Sequence, residues 1–368
     1  MAQTYAVSGL TPQQWDSDFF RDYVRMSRYK RYMGTDEASI IQLKESLTSK
    51  KGDAVTFALV NELTGNGVTG NSTLQGNEER LNSRSHKLTV DVLRHAVAVD
   101  DWDEQKSVID LRDAAKVQLR EWAQKKLRDD ITLALGQIDG VNFLSATNAQ
   151  LDTWTANNSD RILFGDLTTN YGADFSTALL TVSAGATLTP NLISLMKRLA
   201  QAASPKIKPV YVKEMDQEWY VAFIGPRAWR DLTTDNPTTN GLILANRDAR
   251  VRGEDNPLFT GDSLVWDGII LRQIPEIAIL STGAGSVTTS TGVFVEPVYL
   301  CGAQAVGAAW AQRTKSTTET TDYGFLHGVG VQEIRRIEKL RFGTVAGADT
   351  TTPKDHGVVT AFVSAPAD

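Results

Sequence analysis

The stretch Thr64–Asn71, TGNGVTGN, decides how this chain is read. It contains Gly65-Asn66-Gly67-Val68-Thr69-Gly70, which fits G-x-G-x-x-G, and it follows the apolar run Val55-Thr56-Phe57-Ala58-Leu59-Val60. Asp91 stands at about the distance where a dinucleotide site places the acid that binds its ribose. A fingerprint of that kind must open a helix, because the helix N-terminus holds the pyrophosphate. After Gly70 come Asn71-Ser72-Thr73-Leu74-Gln75-Gly76-Asn77, with no apolar stripe at helical spacing. Asn61 and Glu62 also interrupt the strand just before the glycines. The stretch is therefore read as a hairpin tip in which Asn66-Gly67 supplies positive φ. An oxidoreductase using Gly65–Gly70 is the weaker alternative, and no cofactor is expected.

The flanks support the hairpin. A first strand is expected over Ala54–Leu63 and a return strand over Lys87–Val99, where Leu88, Val90 and Val92 alternate with Lys87, Thr89 and Asp91. Between them lie Gly, Asn, Ser, Thr, Glu and Arg. A long two-stranded hairpin is marginal alone in water and leaves its edge N–H and C=O groups unpaired. It needs a surface to lie on, and a neighbouring subunit can provide one.

The next segment gives the clearest helix. Asp101 with Glu104 resembles a capping box. Val108, Leu111, Ala115, Leu119 and Trp122 mark one face, and Leu127, Ile131, Ala134 and Ile138 continue it. A helix over 103–135 would be roughly 50 Å long, well beyond the common length of about 11–12 residues. Its interleaved acids and bases read as a solvated face with i,i+4 pairs. Upstream, Trp15, Phe19, Tyr23 and Met26 recur at helical spacing, with Arg21, Arg25, Arg28, Lys30 and Arg31 making the other side basic. Residues 11–33 are read as an amphipathic arm that docks in an apolar groove, or as a peripheral helix on its own core.

Downstream, Thr189-Pro190 starts a helix striped by Leu192, Leu195, Met196 and Leu199, and Ser204-Pro205 ends it. Strands follow at 210–212, 219–224 and 295–300. Val265–Leu271 turns on Asp267-Gly268, and a short helix is expected over Arg227–Leu232. The run Gly302–Ala309 consists mostly of small residues and permits close backbone packing. Ser281–Gly292 and Thr344–Gly357 read as mobile loops.

At 368 residues the chain exceeds one ordinary core, so two or three lobes are expected. A net charge of −6 without a Lys/Arg block argues against a dedicated nucleic-acid binder. A single cysteine, Cys301, allows neither an intrachain disulfide nor a multi-cysteine metal site. It reads as a small buried hydrophobe. His86, His95, His327 and His356 fall in no metal or triad spacing, so neither a metal nor a catalytic residue is expected. Asp100, Asp101, Asp103 and Glu104 are explained by helix capping. The opening Met1-Ala2-Gln3-Thr4-Tyr5 has no basic segment leading into an apolar one, and no run approaches a bilayer span. Synthesis in the cytoplasm, with no membrane contact, is expected, and the sequons at Asn71 and Asn157 have no glycosylation context.

Arm, hairpin, long helix and α+β lobe, without an active site, fit a chain that binds its own copies. In this order of elements the sequence resembles tailed-bacteriophage major capsid proteins of the HK-ninety-seven-like fold. The nearest local likeness is to a podovirus-type capsid family, in Val298-Tyr299-Leu300-Cys301-Gly302-Ala303-Gln304-Ala305 and Asp322-Tyr323-Gly324-Phe325. The resemblance implies an α+β fold with an N-terminal arm over 1–50, an extended hairpin loop over 51–100, and a peripheral domain with a spine helix over 101–205. An axial domain would cover 206–330, and residues 331–368 would return to the peripheral domain and a C-terminal strand. It implies pentamers and hexamers closing an icosahedral head around double-stranded DNA, with at most weak, non-specific contact with that DNA. Portal, scaffolding and decoration proteins are the implied partners. Inter-subunit contacts would fall at the loop tip (Gly65, Asn66, Gly67, Gly70 and Gly76) and on the arm (Trp15, Phe19 and Tyr23). A lysine–asparagine crosslink of some members finds no matching positions here. A cargo-carrying nanocompartment built on the same shell is the other reading, marked by a co-purified enzyme.

Overall fold

The computed structural model describes residues 29–48, 52–60, 67–71, 73–79, 83–107, 111–212, 217–233, 263–280, 293–343 and 352–366. In chain order the strands are β1 Met33–Gly34, β2 Ile41–Lys44, β3 Ala54–Val60, β4 Ser83–Thr89, β5 Asp91–Asp100, β6 Ile162–Phe164, β7 Val210–Val212 and β8 Gln217–Ile224. They continue with β9 Ser263–Trp266, β10 Ile269–Gln273, β11 Val295–Cys301, β12 Val306–Thr321, β13 Leu326–Lys339, β14 Arg341–Gly343, β15 Pro353–Asp355 and β16 Val358–Ser364. The helices are α1 Asp101–Lys106, α2 Leu111–Leu135, α3 Asn148–Asn157, α4 Phe175–Leu180, α5 Pro190–Ala202 and α6 Pro226–Thr233.

Two compact units form. One takes residues 1–55, 88–134 and 306–338, and the other 56–87, 135–305 and 339–368. The expected cut between 205 and 206 falls inside the second unit, and residues 306–330, expected in the axial domain, lie in the first with α2.

The first unit is built on a sheet of order β1-β2-β12-β13-β5. Here the expected return strand divides. β4 pairs with β3 as a two-stranded hairpin, whereas β5 leaves it and pairs antiparallel with β13 from Asp91↔Arg335 to Asp100↔Leu326. The division falls at Val90, whose N–H donates to the Asp53 carbonyl. The expected single helix is also two. Ser107 is extended at φ −82° and ψ 138°, which ends α1. The cap is Asp100, one residue earlier than expected, because its side chain accepts from the Asp103 N–H at 2.6 Å. α2 buries Ala115, Leu119, Ala123, Leu127 and Ile131, one residue every turn. Trp122, expected on that face, is half-buried and packs at a tilt against the His95 ring, the centroids 4.5 Å apart. Tyr29 is buried at the other end of α2, its hydroxyl 2.8 Å from the Thr132 hydroxyl. Buried Arg335 joins Glu333 to Asp130, the latter at 2.7 Å.

The second unit holds a sheet of order β6-β16-β11-β8-β10-β9, with β7 paired to β8. Side chains alternate across a strand, and here the alternation feeds two cores. Leu163, Val298, Leu300, Val359, Ala361 and Val363 face the one formed with α5 and α6. Ile162, Phe164, Val295 and Phe362 face the other, formed with α3 and α4. Phe362 stacks on Phe164 at 5.3 Å and meets Phe175 edge-on at the same distance. α5 has Thr189 as its side-chain cap and Pro190 in its first turn, as expected. Asp267 and Gly268, at φ 48° and 73°, make the expected two-residue turn. The expected loop over 344–357 is in part ordered structure, since Pro353–Asp355 pairs with β14. Residues 344–351, and the expected loop over 281–292, lie outside the described residues.

The small-residue run works as read. A Cβ at Gly302 would stand 2.3 Å from the Lys208 carbonyl oxygen and 2.7 Å from Ile207 Cγ2. Gly302→Ala is therefore expected to destabilise the fold by about 1–3 kcal/mol through overpacking. Gly185→Ala, where a Cβ meets nothing within 4 Å, is expected to stay within about 0.5 kcal/mol of the parent. Urea midpoints of the two variants check the contrast.

A buried polar cluster ties the second unit together. Arg161 is 1% exposed and donates to the Asp355 carbonyl, to both Asp160 carboxylate oxygens at 3.1 Å, and to the Ser204 and Pro205 carbonyls at 3.2 and 3.3 Å. The Asp355 carboxylate accepts from Lys339 Nζ at 2.6 Å and Trp154 Nε1 at 3.0 Å. Its N–H donates to Asn158 Oδ1 at 2.8 Å. Burial pushes the Asp160 carboxyl up, but Arg161, the Ser204 N–H and Lys354 outweigh it and hold the group at about 2. His356 is kept neutral at about 4 by burial and by the cations of Arg161, Lys208 and Arg84.

Candidate functional site

Three features carry what this chain can do. The first is the hairpin tip. Gly67, Gly70 and Gly76 sit at φ 70°, 71° and 89°, where a Cβ is disfavoured, and a Cβ on any of them would meet no atom within 4 Å. The space on the Cβ side of these three glycines is open. Its distal part is held by its own bonds: Asn77 N–H to the Leu74 carbonyl at 3.0 Å, Asn77 Nδ2 to the Thr73 carbonyl at 2.9 Å, and Gly76 N–H to Glu78 at 2.8 Å. Leu74 points outward from this turn, 63% exposed. Among the described residues no helix opens at Gly70, the first after it beginning at Asp101, whereas a pyrophosphate site needs a helix N-terminus there. Gly65, Asn66, Trp15, Phe19 and Tyr23 lie outside the described residues.

The second feature was not anticipated. The β12–β13 connection carries three consecutive positive φ values, Asp322 at 52°, Tyr323 at 53° and Gly324 at 98°. The Tyr323 ring is wholly exposed, and Phe325 and Trp102 are exposed beside this turn. They belong to one place, because the Asp101 N–H donates to the Phe325 carbonyl at 3.1 Å. Asp101 also pairs with Arg112 at 2.8 Å and His327 at 3.0 Å, and Lys106 lies over the Trp102 ring at 4.4 Å. Asp100, Asp101, Asp103, Glu104 and Asp322 make this end of the unit acidic. Aromatic residues are here displayed rather than buried. Their common signal is position, at the ends of β5 and β12, rather than residue type.

The third feature is a buried carboxylate. Glu296, on β11, has no exposed surface, and its Oε2 accepts from the Ala228 N–H in the first turn of α6 at 2.6 Å. Gly225 leaves the room, since a Cβ there would stand 2.0 Å from Glu296 Oε1. Burial pushes the Glu296 carboxyl up to about 7, against the Ala228 N–H and Arg227, and Asp231 adds to the rise. Unfolded, the group titrates near its ordinary 4.5. Between those values the unfolded chain has lost the proton while the folded chain keeps it, so stability falls as pH rises through the window. The full loss above it is roughly 3 kcal/mol. Glu296→Gln is expected to remove most of this fall, read as the difference in urea midpoint between pH 5 and pH 8. An unchanged difference would assign the pH dependence elsewhere.

Cys301 is buried and its thiol is pushed far up by burial, the opposite of an activated nucleophile. Among the described residues no group of His, Cys, Asp and Glu is placed to hold a metal, and no helix is long and apolar enough to cross a membrane.

Comparison with known proteins places this geometry. A family model described as phage capsid protein matches residues 3–367. The major capsid protein of Pseudomonas phage KPP25 is 27% identical over 373 residues, covering 95% of this chain and 94% of the relative. Among solved structures, the cyanophage Pam1 capsid asymmetric unit is 33% identical with a TM-score of 0.79, covering 100% of this chain and 97% of that one. The capsid of Ralstonia phage GP4 shares the fold at 22% identity and a TM-score of 0.71, covering 93% and 92%.

Proposed function

The chain belongs to the phage capsid protein family, and we propose that it is the repeating subunit of an icosahedral head that assembles through pentamers and hexamers around double-stranded DNA. Its role is that of a major capsid protein, a structural protein of the virion. The observation that carries this is the capsid likeness over the whole chain at 33% identity.

In this reading the unit with α2 and the five-stranded sheet is the peripheral domain, and the seven-stranded unit is the axial one. The hairpin of β3 and β4 lies on a neighbouring copy, with Gly65, Asn66, Gly67, Gly70 and Gly76 at the contact. The arm carrying Trp15, Phe19 and Tyr23 is the second reach between copies. Heterologous contacts of this kind close into rings, and many modest contacts add through multivalency. The chain works without catalysis or cofactor. Its acidic balance of −6 limits adhesion of packaged DNA to the wall. Assembly takes place in the host cytoplasm, with portal, scaffolding or decoration proteins as partners. Light scattering and negative-stain microscopy of the purified chain test the reading. Rings or closed shells are expected, and a small species that binds NAD would overturn it.

A further inference from the structure

The aromatic end of the first unit calls for a partner of defined chemistry. Trp102, Tyr323 and Phe325 are exposed together at one end of the β5–β13 pair. Around them Asp100, Asp101, Asp103, Glu104 and Asp322 outnumber Lys106 and Arg112. A second copy of the same end is a poor occupant, since like charges repel. The hairpin tip of another copy is a poorer occupant, because over 64–80 Glu78 and Glu79 outnumber Arg80. A segment that is both basic and aromatic fits. The chain has one in Phe19–Arg28, FFRDYVRMSR, where Arg21, Arg25 and Arg28 exceed the single Asp22 and alternate with Phe19, Tyr23 and Met26.

We propose that the acidic, aromatic end formed by Trp102, Tyr323 and Phe325 receives the basic N-terminal arm, residues 19–28, of a neighbouring copy in the shell. Arg guanidinium groups stack on exposed Trp and Tyr faces and pair with the surrounding carboxylates. The reach of the arm selects a neighbour over its own chain. The arm joins the described chain at Tyr29, beside Thr132, whereas Arg112, paired to Asp101, sits 20 residues earlier on the same helix. That is about 30 Å of helix axis. Arg25 stands four residues before Tyr29, at most about 14 Å of chain even when fully extended, so Arg25 and Arg28 cannot return to their own acidic end. This inference rests on the shell reading and specifies one of its contacts.

The test places a benzophenone amino acid at Tyr323, an aromatic for an aromatic at an exposed position, in shells first verified by microscopy. Subunits are mixed from isotopically heavy and light preparations, and crosslinked peptides are identified by mass spectrometry. The expected products join position 323 to residues 19–28 in mixed heavy–light pairs, and they are lost when Arg21, Arg25 and Arg28 are all replaced by Glu. Should that variant fail to assemble, mapping in the parent shell still decides. Verified shells in which position 323 joins residues 64–79, another tip, another protein or only its own chain's arm would overturn the inference and leave the shell reading standing. So would the absence of any crosslink to the arm. Failure to form shells would remove the shell reading and this contact with it.

Discussion

Arg161→Ala is expected to lower folding stability by about 3–5 kcal/mol, the range for breaking a buried ion pair from one side. That is a large part of the roughly 5–15 kcal/mol that holds a typical domain folded. The side chain is 1% exposed and satisfies the Asp160 carboxylate and three carbonyls at once. Truncation leaves Asp160 with Lys354, at 3.2 Å, as its remaining cation and strands the carbonyls in a water-poor site. Arg161→Lys is expected to recover only part of the loss, because an ammonium cannot span donors in a planar fork. Denaturant unfolding of unassembled subunits reads the effect, since assembly itself would mask it. A loss below about 1 kcal/mol, the scale of an exposed pair, would mean that the cluster is not the structural tie described.

The second large effect is on assembly rather than folding. Replacing residues 64–76 by a two-residue Asn-Gly turn is expected to abolish shells or make them fall apart at much lower temperature. The subunit's own melting should hardly move. The separation follows from the tip, where a Cβ at Gly67, Gly70 or Gly76 would meet no atom within 4 Å. A loss of about 1.4 kcal/mol at one contact is tenfold in its equilibrium constant, and in a shell the loss recurs at every copy. Thermal stability followed by light scattering, beside circular dichroism of the subunit, separates the two quantities. Intact shells of unchanged stability would remove the hairpin from the interface.

Much of this was legible where a feature is local. Thr189-Pro190 announces α5, Asp267-Gly268 announces its turn, and the missing helical stripe after Gly70 argues for a tip over a phosphate cradle. The long helix was legible as a pattern but not as two pieces, since the break at Ser107 falls just before the apolar stripe begins at Val108. What sequence could not show was non-local. β5 continues the alternation of β4, yet its partner β13 lies more than 200 residues away, so nothing nearby separates one strand from the other. Nothing local marks Arg161, because burial of a cation depends on carbonyls brought from residues 204, 205 and 355. Trp102, Tyr323 and Phe325 invert the usual signal, as large aromatics are read inward unless their backbone is known to turn away. Of the residues proposed for contact, Gly67, Gly70 and Gly76 lie together at the tip. Gly65, Asn66 and the arm aromatics lie outside the described residues.

Electron cryomicroscopy of particles formed by the purified chain tests the central claim most directly. Closed shells are expected, with residues 67–79 of each copy lying against the surface of the next. Shells in which that tip stands clear of every neighbour, or a chain that forms no closed particle even with the other head proteins of its phage, would contradict it.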